Sequence, residues 1–140
     1  MNKNKWKNHS TKGYVGQGIV EIDLLKRGYG VYRPLVDDDG VDLLIENKAI
    51  DNSQFTTLQV KYSESYDSHS SVKLDVKKSR ADYIALVCED IQGSEIVLYI
   101  ENKNKKGRWT RNIQMGMSKN NQKIGIHNYK QYLKPRFLKQ

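Results

Sequence analysis

Residues 37–62, DDDGVDLLIENKAIDNSQFTTLQVKY, decide how the chain is read. They read as two β-strands, 42–46 and 55–62, joined by a polar turn. Successive side chains of a strand point to opposite faces, so Gln59 and Lys61 share one face. On the first strand Val41, Leu43 and Ile45 take one side and Asp42 the other. If the two strands pair as a hairpin, Asp42 meets Gln59 and Lys61. A carboxylate, an amide oxygen and an ammonium at one spot are the groups that metal-assisted phosphodiester hydrolysis requires.

Upstream, the pattern of residues 13–28 predicts a helix. Val15, Ile19, Ile22 and Leu25 recur at helical spacing, Lys26 and Arg27 occupy the last turn, and Gly28 suits the position just past a helix end. Gly16 and Gly18 each cost a helix interior roughly 1 kcal/mol relative to Ala. They mark either the first turn or a place where the backbone passes close to something. Gln17 and Glu21, four apart, share a face away from much of the apolar stripe and can look toward the hairpin. Residues 29–33 form a short strand stopped by Pro34, and 37–40 are a turn by composition.

Downstream, 63–71 is a polar loop, 72–74 a short strand and 76–83 a helical turn. The continuously apolar run 84–89, IALVCE, suits a strand buried on both faces, and 96–101, IVLYIE, a second one. A helix, three strands, the short strand 72–74, a helical turn and two strands give an α/β domain with a mixed sheet. From residue 102 the chain turns basic, NKNKKGRWTRN, and reads as a loop centred on Trp109. Lys103, Lys105, Lys106, Arg108, Trp109 and Arg111 there suit a phosphate backbone and a base or sugar. A short helix is predicted over 127–134.

At 140 residues with a net charge of +8, the chain is long enough for one domain with its own core. The charge is unevenly placed. Residues 1–12 carry four Lys and no acid, 13–100 carry 9 basic and 15 acidic groups, and 101–140 carry 11 basic and 1 acidic. Basic ends around an acidic centre suit polyanion binding through the ends, with a metal ion drawn to the middle. Solvated surface lysines are the plainer alternative. No signal peptide or membrane span is expected, which implies an intracellular, cytoplasmic or nucleoid-associated protein without a membrane partner. Cys88, the single cysteine, reads as a small buried hydrophobe. His9, His69 and His127 lack metal-ligand spacing. The acidic run around Gly40 partly imitates a calcium loop, but the residues after it read as strand rather than helix. Phosphate-binding Gly-rich loops, dinucleotide fingerprints and nucleophile elbows are absent from the sequence.

Asp42, sixteen intervening residues and then Gln59-Val60-Lys61, preceded by a helix ending at Gly28-Tyr29 and a strand ending at Pro34, resembles the PD-(D/E)XK nuclease superfamily. The resemblance is closest to the group I intron homing endonucleases that carry a QxK motif, and it covers residues 13–100. It implies a restriction-endonuclease-like core, a mixed β-sheet flanked by helices. Residues 1–12 would then be a basic arm and 101–140 a basic extension of the same domain. Asp42 falls at the family's metal-binding acid, Gln59 at its usual Glu and Lys61 at its lysine. The helix acid of the family falls near Gln17, a departure that Glu21 one turn later could make good. The resemblance further implies Mg²⁺, replaceable by Mn²⁺, held by Asp42, the Gln59 amide oxygen, the Val60 carbonyl and Glu21. It implies a homodimer or homotetramer acting on double-stranded or branched DNA. The QxK variant favours a site-specific homing or restriction-like enzyme. A Holliday junction resolvase of the same fold and a catalytically weakened DNA-binding protein are the alternatives.

Overall fold

A computed structural model describes residues 9–36, 40–48, 54–63, 71–76, 79–89, 93–103, 109–114 and 129–136. Helix α1 (His9–Lys26) is followed by β1 (Gly30–Tyr32), β2 (Leu43–Asn47), β3 (Gln54–Tyr62), β4 (Ser71–Val76), β5 (Tyr83–Glu89), β6 (Glu95–Glu101), β7 (Trp109–Gln114) and a 3₁₀ turn (Tyr129–Tyr132). Five strands form one sheet in the order β1-β2-β3-β5-β6, while β4 and β7 form a separate antiparallel pair. Within the larger sheet only β3 and β5 run parallel, so the sheet is mixed, as the sequence predicts.

The sheet is covered on both faces. On one, Val20 and Leu24 of α1 pack with Leu43, Ile45, Leu58, Ala85, Val87 and Tyr99. On the other, Val72, Leu74 and Val76 of β4 and Ile113 of β7 pack with Ile84, Leu86, Cys88, Leu98 and Ile100. The unbroken apolar run of β5 follows from this layering: Ala85 and Val87 face the helix, while Ile84, Leu86 and Cys88 face the β4–β7 pair. Each fully buried Leu, Ile or Val contributes about 1.5–3 kcal/mol of transfer free energy.

The helix begins at His9, earlier than the residue 13 expected, and it presents a different stripe. Val20 and Leu24 are fully buried, whereas Ile22 and Leu25 are each 56% exposed. The stripe is set by a residue that no hydrophobicity count registers. Gly16 is buried one turn before Val20, where a Cβ would come within 3.0 Å of the Tyr62 ring. Gly16, Val20 and Leu24 thus lie four apart along the contact. At the other end Tyr29 N–H donates to Leu24 O and Gly28 N–H to Leu25 O, with Gly28 at φ +90°. This is a Schellman closure, and it turns the chain into β1.

Two further expectations need correction. The helical turn over 76–83 does not form at the described positions: β4 runs to Val76, and residues 79–82 are held instead by side chains. Ala81 N–H donates to Ser79 Oγ, and Asp82 N–H to Thr57 Oγ1. The basic stretch around Trp109 is not wholly a loop either. Residues 109–114 are strand β7, because Ile113 fills the core opposite Val72 and the register Val76↔Trp109 pairs the whole strand with β4. Of the helix predicted over 127–134, the described part is the 3₁₀ turn at 129–132.

Candidate active site

The pairing of β2 with β3 ends at Leu43↔Leu58, while β3 runs on to Tyr62. Asp42, the residue just before β2, occupies the point where the ladder stops. Its own N–H donates to Leu58 O at 2.8 Å, and its Oδ2 accepts the Val60 N–H at 2.7 Å. The carboxylate therefore replaces the main-chain acceptor that one more residue of β2 would have supplied. A strand residue directs its N–H and C=O to the same side, so the Val60 carbonyl opens onto the edge where Asp42 sits.

That edge forms one wall of a cleft of about 470 Å³, lined by Asp42, Val41 and Val60 on one side, Gly13, Tyr14 and Gln17 of α1 on another, and Arg33, Pro34 and Leu35 beyond β1. Gln17 thus shares a cleft with Asp42. Glu21 lies one turn further on and does not line it. Both Glu21 oxygens are taken by Arg33, with Nε to Oε1 at 2.6 Å and Nη2 to Oε2 at 2.8 Å, and Gln17 Nε2 reaches Oε1 at 3.4 Å. The Arg33 guanidinium is the main cause that holds the Glu21 carboxyl below its ordinary pKa, against a smaller upward push from burial.

Gln59 and Lys61 flank Val60 on β3. Leu58 and Val60 pack toward α1, so the alternation of the strand sends Gln59 and Lys61 to the opposite face. The Gln59 amide lies under Gly40, where a Cβ would meet Nε2 at 3.2 Å and Ser79 Oγ at 3.2 Å. Gly40 has φ +68°, a conformation costly for other residues, and its carbonyl accepts from Ser79 Oγ. Gln59 Oε1 is buried and accepts no hydrogen bond among the described residues. Lys61 is half-buried, and no acid pairs with it among the described residues.

These atoms test whether a divalent cation fits. The Asp42 carboxylate, the Gln59 amide oxygen and the Val60 carbonyl are hard oxygen donors of the type that Mg²⁺ and Mn²⁺ take. A buried amide oxygen without a donor is unusual in a folded protein and is the feature such an ion would satisfy. The described residues hold no cluster of three or more His, Cys, Asp or Glu suited to a metal, so a cation would rest here on few carboxylates.

The sequence model of the PD-(D/E)XK endonuclease family matches residues 7–130. The chain belongs to the PD-(D/E)XK endonucleases. Its fold is similar to that of a solved bacterial homing endonuclease, I-Ssp6803I, with a TM-score of 0.62 at 20% identity over 89% of this chain and 87% of that one. At that identity the likeness is one of fold. No curated protein sequence matches the chain. The family makes this chain a DNA endonuclease, and its members typically use divalent metal ions.

The basic segment expected to contact DNA is only partly described. Lys103 is exposed two residues past the end of β6, and Trp109 and Arg111 lie on the backbone of β7. Lys105, Lys106 and Arg108 fall outside the described residues, as do residues 37–39 of the turn and the histidines His69 and His127. His9 opens α1. No helix among the described residues is long and apolar enough to cross a membrane.

Several supporting residues of this endonuclease escaped the sequence reading. Asn102 is buried, and its Nδ2 donates to Ser79 O at 3.1 Å and Ala81 O at 2.9 Å. Asn102 N–H donates to Asp82 O, and Asp82 in turn accepts the Thr57 N–H and hydroxyl. This brace ties β3, β5 and β6 together and fixes Ser79, which holds the Gly40 turn ahead of Asp42. Its members are far apart in sequence and have no periodicity, so only the fold reveals them. Arg33 carried a signal, a lone cation before a strand-ending proline, but its partner on α1 was not legible.

Proposed function

We propose that this chain is a Mg²⁺-dependent, site-specific endonuclease of duplex DNA that works as a homo-oligomer, with Mn²⁺ able to replace Mg²⁺. The observation that carries the reading is the meeting of the Asp42 carboxylate with the Val60 edge of β3, one residue from the donor-less Gln59 Oε1. Asp42, the Gln59 amide oxygen and the Val60 carbonyl would hold the cation, which when bound supplies Lewis-acid assistance to attack on a phosphodiester. The Lys61 ammonium then orients the attacking water and stabilises negative charge developing on the phosphoryl oxygens. Asp42 is kept in place by the Val60 N–H and, through the Gly40 turn, by Ser79. Gln17 contributes a neutral hydrogen-bonding group to the cleft wall.

A single site cuts one strand, so double-strand cleavage calls for two copies related by symmetry, a homodimer or a dimer of dimers. Lys103, Lys105, Lys106, Arg108, Trp109 and Arg111 supply phosphate contacts and stacking along the duplex.

The test is cleavage of mixed-sequence plasmid DNA in Mg²⁺ by the wild-type chain, Asp42→Ala and Lys61→Ala. Nicking or cutting by wild type and its loss in both variants supports the reading; cleavage retained in both removes the site assignment. Preferential cutting of a synthetic four-way junction over linear duplex would move the substrate to branched DNA. The neutral Gln17 and Gln59 favour one second reading, a DNA-binding protein with weakened catalysis, which DNA binding without metal uptake or cleavage would support.

A further inference from the structure

We infer that Arg33 is the phosphate-anchoring residue of the cleft and that Glu21 positions Arg33 instead of ligating a metal. This deepens the endonuclease reading and rests on it for the identity of the substrate.

Three observations carry it. Arg33 lines the same cleft as Asp42 and Val60, while Glu21 does not. The guanidinium commits two of its five N–H donors to Glu21, and among the described residues no acceptor takes the other three. The Arg33 side chain is 64% exposed and that of Glu21 only 15%, so the pair is anchored at the carboxylate and open at the cation.

The chemistry follows from that asymmetry. A guanidinium held through one edge keeps a second edge for the paired oxygens of a phosphodiester, an arrangement an ammonium cannot reproduce. Fixing the fork in advance lowers the ordering cost when the phosphate arrives. A Glu21 carboxylate with both oxygens engaged by a cation is poorly placed to bind a second one. Gln17, which faces Asp42 across the cleft, bonds weakly to Glu21 and helps hold its orientation. The helix acid of this chain is thereby turned from metal binding to substrate binding.

The experiment uses the full chain and two probes, Mn²⁺ by calorimetry and a short fluorescein-labelled duplex of mixed sequence titrated in metal-free buffer across a KCl series. Arg33→Ala is expected to weaken duplex binding about tenfold, as for loss of a charged hydrogen bond. It should also reduce the slope of log affinity against log salt by about one. Glu21→Gln should weaken duplex binding in the same direction, and Glu21→Gln combined with Arg33→Ala should be no worse than Arg33→Ala alone. Mn²⁺ affinity should be unchanged by Glu21→Gln and lost in Asp42→Ala. Arg33→Lys should restore the salt slope but not the full affinity, an outcome that a merely structural role would not give. The inference is overturned if Glu21→Gln lowers Mn²⁺ affinity, or if Arg33→Ala leaves affinity and slope unaltered. Failure of the endonuclease reading itself shows separately, as a wild-type chain that takes up no Mn²⁺ and cuts no plasmid.

Discussion

Asp23–Arg27 and Glu21–Arg33 leave the same helix two residues apart, yet they are surrounded differently. Asp23 Oδ2 accepts from Arg27 Nε at 3.0 Å and from the Tyr99 hydroxyl at 2.5 Å, and Arg27 Nη2 continues to Leu133 O. Tyr99 is buried, and burial followed by the Asp23 carboxylate pushes its phenol well above the ordinary value, so it remains a donor. Asp23 thereby ties α1 to the buried Tyr99 of β6 and, through Arg27, to the main chain at Leu133, beside an open groove that Ile19, Ile22, Asp23 and Arg27 line. On the Glu21 side, Arg33 bonds Glu21 through one edge and opens into the cleft that Asp42 and Val60 also line, while on the opposite face of β3 Lys61 has no acidic partner among the described residues and Gln59 Oε1 is buried without a donor. Asp23 is fixed to the buried sheet through Tyr99, whereas Glu21 is fixed to Gln17 and Arg33, which line the cleft that holds Asp42. A buried polar group without a partner, as at Gln59 Oε1, marks a candidate functional site.

The contrast can be broken, beginning with the largest effect. Asp42→Ala should reduce plasmid cleavage roughly a thousandfold or more, the several kcal/mol that metal assistance supplies, and cost about 1 kcal/mol of stability because the Val60 N–H loses its acceptor. Lys61→Ala should lower turnover about 10²–10³-fold, with KM less affected, in single-turnover cleavage. Asn102→Ala tests the brace and should remove about 2–3 kcal/mol of stability, measured by denaturant unfolding, because it leaves two buried carbonyls without donors. Tyr99→Phe should cost about 1–2 kcal/mol on the same measurement and leave cleavage intact; lost cleavage with unchanged stability would reverse the assignment of the two sides.

The smallest effect is on pH. Glu21 has a lowered pKa in the folded chain, so its contribution is present above the ordinary value of 4.5 and lost as pH falls through the lowered one. Because Arg33 is exposed, Glu21→Gln should cost less than about 1 kcal/mol at neutral pH. The difference between variant and wild type in urea midpoints should shrink as pH drops below 4.5.

Much of the fold was legible because its signals are local. The apolar run over 84–89, Gly28 at the helix end and the alternation along 55–62 each identify an element from neighbouring residues alone. The helix face was misread because Gly16, which makes the close contact with Tyr62, adds nothing to a hydrophobic pattern. Strand β7 was read as loop because its partner, β4, lies more than thirty positions earlier, and a basic composition outweighed the single core residue Ile113. Of the candidate site, the strand positions of Gln59 and Lys61 could be read by alternation. The Asp42 carboxylate on Val60 N–H and the capture of Glu21 by Arg33 depend on where separate elements end, which no spacing encodes.

The central claim is that the end of β2 and the open edge of β3 form a carboxylate-poor metal site. Calorimetric titration of Mn²⁺ into wild type, Asp42→Ala and Gln59→Glu tests it most directly. The account predicts binding to wild type, none to Asp42→Ala, and binding about tenfold or more tighter to Gln59→Glu, where a second carboxylate joins the donors. Equal affinity in all three would contradict it.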